Sequence, residues 1–328
     1  MKILIVRFSS IGDVVLTTPV IRALKDQLKD VEIHYLTKKP FLQLLDNNPA
    51  LDRVHTFDRS INEVVEELKK ERFDVMIDLH HNLRSLQLKL KLKVKSYSFP
   101  KLNIEKWLLV RFKRRKMPNI HIIDRYFLAV KPLGVVNNNK LCELHIPQEH
   151  KVDTEQLFGV SPHSYICMAI GAQFATKRMP LNKLKEIIET IDLPIVLSGG
   201  PTDKELADAL LQAFPEKKII SAVGTFSLLQ SADIVRQAKV LLSNDTGLMH
   251  IATCFKVPIV SVWGNTVPEL GMYPYYPDNK ELYSIHEVKD LSCRPCSKIG
   301  FQACPKQHFK CMQEQKANEI SADLLKHF

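Results

Sequence analysis

Short runs of branched apolar residues, each followed by a turn and then by a segment of helical periodicity, recur along nearly the whole chain. No other feature restricts the fold as strongly, because strands alternating with helices imply a parallel sheet with helices on its faces. The run at residues 2–8 leads into the turn from Ser9 to Asp13 and then an apolar-periodic segment through Leu28. Further strands are predicted at 32–36, 54–57 and 74–78, and a helix over 61–70 with apolar residues at 61, 64, 65 and 68. Gly134, the asparagines at 137–139, Pro147 and Pro162 cluster in and beside residues 133–161, a composition suited to a domain boundary. The alternation then restarts, with strands predicted at 165–169, 194–197, 218–221, 240–243 and 258–263 and helices at 181–190, 203–213, 227–237 and 247–255. At 328 residues the chain exceeds what one core usually serves. The expected fold class is α/β: two Rossmann-like domains with parallel sheets facing an interdomain cleft, residues 1–150 and 151–316, and a closing helix over 317–328.

Hydrophobic residues make up 45% and charged residues 25%, a globular rather than disordered composition. No run approaches the roughly 20 apolar residues of a membrane span, and the first is too short for a signal peptide, so a cytoplasmic protein is expected. The net charge of +10 is concentrated: residues 85–119 hold eleven Lys or Arg against the single acid Glu105. With Leu88, Leu90, Trp107 and Phe112 interleaved, this segment suits an anionic membrane surface, a phosphorylated lipid or nucleic acid, or is a solvated face.

In open parallel sheets ligands bind beyond the carboxyl ends of the strands, so the turns there carry the chemistry. In the first, Ser10, Gly12 and Asp13 precede or open a helix, and Asp13 either caps it or serves as a base. The turn from Gly171 to Pro180 places Thr176 and Lys177 before a helix, a pairing suited to a diphosphate or an ordinary basic loop. Gly199 and Gly200 admit a ribose or base, or only make a turn. The most specific turn is Asp245, Thr246 and Gly247 after a strand, offering a hydroxyl and backbone N–H groups to phosphate, with His250 about one helical turn on. No G-x-G-x-x-G is present.

The segments from Ile11 to Pro19 and from Asn244 to Ala252, with the cysteine tail, resemble the ADP-heptose:lipopolysaccharide heptosyltransferases of glycosyltransferase family 9, essentially end to end. The resemblance implies a GT-B fold and inverting transfer of heptose from ADP-heptose to a lipopolysaccharide core acceptor, with no metal or other cofactor in catalysis. It assigns Asp13 as base, and Lys177, Thr246, Gly247 and His250 to the donor; Thr176 and Asp245 join the donor set from the turn pattern, Asp245 either capping its helix or binding a sugar hydroxyl. Ser10, Gly12, Arg84 and Arg125 fall where the family holds the acceptor, the two arginines suiting carboxylate or phosphate. Where some relatives carry a glutamate on the ribose, this chain has Gly199, Gly200 and Pro201. The implied location is the inner face of the inner membrane, with residues 85–119 as the contact.

Cys293, Cys296, Cys304 and Cys311 have the count and density of a tetrahedral thiolate site for structural zinc or iron; the alternatives are reduced thiols or a redox pair. Four thiolates would leave no open position for chemistry. A glycosyltransferase or epimerase using another nucleotide sugar keeps the same architecture. A nucleic-acid-binding protein with a zinc element leaves the paired turns unexplained, so no nucleic-acid partner is expected.

Overall fold

The computed structural model describes residues 1–328 and divides into two units, one comprising Met1–Lys101 and Ile120–Pro147, the other Leu102–Asn119 and Gln148–Phe328. The first carries β1 (Lys2–Val6), α1 (Ile11–Val15), α2 (Thr18–Gln27), β2 (Glu32–Lys38), β3 (Arg53–Phe57), α3 (Val65–Lys70), β4 (Val75–Asp78), α4 (Leu83–Leu92) and β5 (Lys95–Ser98). After α5 (Asn103–Phe112), which belongs to the second unit, α6 (Ile122–Val130) completes the first. Its sheet is wholly parallel in the order β3-β2-β1-β4-β5. Central β1 has no exposed side from Ile3 to Val6, as a strand covered on both faces requires. On one face Leu4, Val6, Leu36, Phe57 and Met76 pack with Leu68 of α3 and Leu88 of α4.

The second unit holds α7 (Thr154–Phe158), β6 (Ile166–Ala169), α8 (Leu181–Glu189), β7 (Ile195–Ser198), α9 (Lys204–Ala213), β8 (Ile219–Ser221), α10 (Leu228–Arg236), β9 (Val240–Asn244), α11 (Gly247–Cys254), β10 (Ile259–Trp263), β11 (Tyr283–Glu287), α12 (Lys310–Gln313) and α13 (Ala317–Leu325). Its six parallel strands run β11-β10-β9-β6-β7-β8. The expected pair of Rossmann-like parallel-sheet domains is therefore present. Helix ends follow local chemistry: Ser227 accepts from the Gln230 amide while the Gln230 side chain accepts from the Ser227 amide, a reciprocal cap that starts α10.

Three features depart from the sequence reading. Strands β5 and β11 were not predicted, because the Lys95–Ser98 and Tyr283–Glu287 segments are too polar to read as strands; both lie at sheet edges, where polar residues are tolerated. The segment 102–119 belongs with the second unit rather than the first, and Leu109 of α5 is fully buried against Val267 and Leu270. The tail helix α13 is an integral part of the second unit, with Ile320 and Leu324 fully buried in one core with Leu184, Ile187 and Met312.

The basic segment is accordingly shared between both units, and some of its charge is spent internally. Lys113 donates to the carbonyls of Val110 and Pro295 at 2.7 and 2.6 Å, and Arg115 pairs with Glu269 at 2.5 Å. No helix is long and apolar enough to cross a membrane.

Because Ile320 fills the second unit's core, Ile320→Ala should cost about 2–4 kcal/mol and lower that unit's Tm by roughly 5–15 °C. A calorimetric scan in which the mutant matches wild type would show that α13 is not part of the core.

Candidate functional site

In each sheet the chain adds strands outward on one side of a central strand and then crosses to the other, leaving a crevice where the direction reverses. In the first unit the reversal lies between β1 and β4; in the second, between β6 and β9. The turns singled out in the sequence follow three of these four strands.

Asp13 sits in the first turn of α1, directly after β1, with Ser10 as N-cap residue. Its Oδ2 accepts hydrogen bonds from the Ser10 amide at 3.2 Å and the Ser10 hydroxyl at 2.9 Å, and its Oδ1 lies 2.6 Å from Arg7 Nη2. Burial would raise the carboxyl, but the Arg7 charge and the Ser10 hydrogen bonds outweigh it and hold Asp13 below the ordinary carboxylate range. The side chain is still 24% exposed, so an ionised oxygen is accessible to a hydroxyl. The Asp13 side chain thus both braces its own helix and remains available as a base. Gly12 is buried inside α1 rather than in the turn ahead of it.

Arg7 is a residue the sequence reading missed. Its Nε donates to Ser9 O at 2.8 Å and its Nη1 to Leu79 O at 2.7 Å, tying the loop after β1 to the loop after β4. A cation directly after the apolar run of β1 was the available signal. In the loop after β4, burial and then the Arg7 charge push His80 down to about 3, so it is neutral near pH 7. Asp78 accepts from the His80 and His81 amides at 3.0 and 2.6 Å and from the Ser85 hydroxyl at 2.6 Å, fixing this loop to α4. Arg84 is exposed on α4, whereas Arg125 on α6 is 1% exposed, and its Nη1 reaches Lys101 O at 3.5 Å.

In the second unit Lys177 and Asp245 come together at the reversal, Nζ to Oδ2 at 2.6 Å and Nζ to the Asp245 carbonyl at 3.3 Å. Thr266, also missed, donates its hydroxyl to the same Oδ2 at 2.9 Å. An ammonium has three donors, so one remains for a ligand. Thr246 is the extended N-cap residue of α11 and Gly247 its first residue; no side chain caps this helix, which leaves its leading amides open to an anion. His250 lies buried one turn along. Thr176 has a different position from the one expected of a donor ligand: its hydroxyl donates to Phe301 O at 3.0 Å and accepts from Phe301 N at 2.8 Å, pinning the cysteine-rich loop.

The glycine turn after β7 serves a close approach. Asp203 is buried beneath it and accepts from the Gly200 amide at 2.9 Å, and a Cβ on Gly171, in the neighbouring turn after β6, would come within 2.0 Å of its Oδ2. Only glycine fits there.

The four cysteines of the tail are free thiols. Burial pushes Cys296 up to about 11 and Cys311 up to about 12, and mutual repulsion among the neighbouring thiolates adds to both. The Cys296 thiol donates to Cys293 O at 3.1 Å, and His308 Nε2 lies 3.8 Å from Cys293 Sγ. No three of the four sulfurs come within 4.8 Å of one another, so the tetrahedral thiolate site expected from the spacing is not assembled here.

Comparison with known proteins agrees with this architecture. Residues 61–300 match the family model for glycosyltransferase family 9 (heptosyltransferase). Lipopolysaccharide heptosyltransferase 3 of Escherichia coli K12 is 24% identical over 279 residues, covering 78% of this chain and 80% of that protein. A glycosyl transferase family 9 structure from Veillonella parvula superposes with a TM-score of 0.82 at 23% identity, covering 99% of this chain and 96% of the other. The structure of E. coli heptosyltransferase WaaC with ADP superposes at 0.69 and 20% identity, over the whole of both chains. The two Rossmann-like units and the matched family model define a glycosyltransferase with the fold of the GT-B heptosyltransferases. The chain belongs to glycosyltransferase family 9.

Removing Arg7 leaves a partly buried carboxylate unpaired, so Arg7→Met should destabilise the first unit by about 2–4 kcal/mol at pH 7. The Asp13 contribution is present above the unfolded carboxyl pKa and is lost as pH falls through its lower folded value, so the deficit should narrow in acid. Urea melts giving the same deficit at pH 7 and at acid pH would refute the ion pair's contribution.

Proposed function

We propose that this chain transfers heptose from ADP-heptose to the inner core of lipopolysaccharide, by an inverting displacement that uses no catalytic metal. The observation that carries this reading is the Lys177 ammonium, held by Asp245 with one N–H uncommitted, beside the uncapped N-terminus of α11, donors suited to a diphosphate leaving group. The lipopolysaccharide heptosyltransferases among the relatives, and the ADP in the WaaC structure, support heptose and ADP.

Asp13 is the base. As the acceptor oxygen attacks the anomeric carbon opposite the departing diphosphate, the hydroxyl proton passes to the Asp13 carboxylate while the bond from sugar carbon to phosphate oxygen breaks. One displacement inverts the anomeric configuration. Arg7 keeps Asp13 ionised beforehand. The spare Lys177 proton and the amides from Gly247 onward meet the charge growing on ADP, a task that a divalent cation performs in metal-dependent transfer. His250, one turn into α11, contacts the donor.

The cysteine tail stays outside the reaction and is held to the Lys177 turn by the Thr176 clamp on Phe301. The enzyme works peripherally on the cytoplasmic inner face of the inner membrane. Exposed Leu83, Leu86 and Leu90 lie along α4 with Lys89 and Lys91, and exposed Ile104, Trp107 and Phe112 lie on α5 with Arg111, so each helix offers apolar and basic groups together.

Asp13→Asn should lower kcat by about 100-fold or more while ADP-heptose still binds, and Lys177→Ala should lower kcat/KM by a similar factor. ADP release measured with a panel of nucleotide sugars tests both donor and roles; undiminished turnover by Asp13→Asn would exclude it as base. Vesicles containing anionic lipid should sediment the wild-type chain at low salt, and Leu90→Glu with Trp107→Glu should abolish this; equal binding to neutral vesicles would refute the charge component.

A further inference from the structure

On the first sheet, away from the reversal, a buried polar group interrupts the apolar face. His34 of β2 and His55 of β3 point to the same side as Leu36 and Phe57, and their side chains are 3% and 0% exposed. His34 Nε2 lies 2.8 Å from Glu32 Oε1, and His55 Nδ1 lies 2.7 Å from Glu67 Oε1. Ionised carboxylates only accept, so each neutral imidazole spends its single N–H on its own glutamate. The remaining nitrogens, His34 Nδ1 and His55 Nε2, then face each other 2.9 Å apart with a lone pair on each. Two lone pairs at that separation repel unless a cation lies between them.

A third donor is at hand. A Glu71 carboxylate oxygen and one ring nitrogen from each histidine all lie within 4.8 Å of one another. Glu71 also takes Lys2 Nζ at 2.9 Å and Arg53 Nη1 at 2.7 Å, one on each oxygen, but a carboxylate has about four lone-pair sites and retains two. The outer carboxylates on both imidazoles match the usual arrangement around metal-bound histidine, where the distal N–H is held by an acid. Three carboxylates against Lys2 and Arg53 leave one net negative charge on the group, favourable to a cation.

The geometry points to a structural site for a divalent zinc-type ion formed by His34 Nδ1, His55 Nε2 and the Glu71 carboxylate, with Glu32 and Glu67 orienting the two imidazoles. Nitrogens each about 2.05 Å from a tetrahedral ion stand about 3.3 Å apart, so the histidines need separate by only a few tenths of an ångström. The ion would join β2, β3 and the end of α3 at a place remote in the sheet from Asp13. A water completes its fourth position. Neither the transferase reading nor the cysteine group is needed for it.

The test uses the full chain with Cys293→Ser and Cys296→Ser, which disables the thiolate group, stripped with chelator and titrated with Co²⁺ and Zn²⁺. One ion per chain is expected, with weak visible cobalt absorption, no thiolate charge-transfer band, and a higher Tm on loading. His55→Gln should weaken binding by at least about 10-fold. Because that variant removes a buried partner, Glu71→Gln, at a partly exposed position, provides a second reading and should weaken binding comparably. No ion bound at micromolar metal, or binding unchanged by both variants, overturns the site. Nitrogen NMR showing one imidazolium proton shared by the pair in the presence of metal would likewise overturn it, since a proton then fills the gap.

Discussion

Parallel strands must be joined by crossovers, and wherever the crossovers change direction two neighbouring strands send their following loops apart. That constraint creates the crevices between β1 and β4 and between β6 and β9, and the charged groups of both units are arranged around them. Backbone groups at a strand's carboxyl end and at the start of the next helix lack partners within their own element. Side chains such as Asp13, or a ligand, supply them.

The two units use charge in complementary ways. In the first, a guanidinium anchored by two loop carbonyls pairs with the Asp13 carboxylate and holds it ionised. In the second, a carboxylate fixed by Thr266 positions the Lys177 ammonium. Each cation–anion pair lowers the cost of holding a charge in a partly buried place, while leaving one lone pair or one proton uncommitted.

Segments outside the two sheets are tied to the second unit by specific bonds. Thr176 clamps Phe301, Lys113 reaches Pro295, and Arg294 donates to the carbonyls of Gly264, Val288 and Thr266. The cysteine tail is thus bonded to the same turn that carries Lys177. A disturbance of the tail therefore reaches that turn through these bonds.

The sequence by itself determined the alternation of elements, the two-sheet architecture, and the turns bearing Asp13, Lys177 and Asp245, because burial on both faces forces continuous apolar runs and leaves the punctuating residues in plain view. Edge strands β5 and β11, with one side uncovered, need no such runs and were illegible. What only the tertiary structure decided is which polar residues meet: Arg7 with Asp13, Lys177 with Asp245, Thr176 with Phe301, His34 with His55. These pairings depend on strand order and register, which bring distant positions within 3 Å, and no local pattern encodes strand order. The same reason moved α5 and α13 into the second unit: an amphipathic helix displays its apolar face in sequence, but the surface it covers is chosen by the fold.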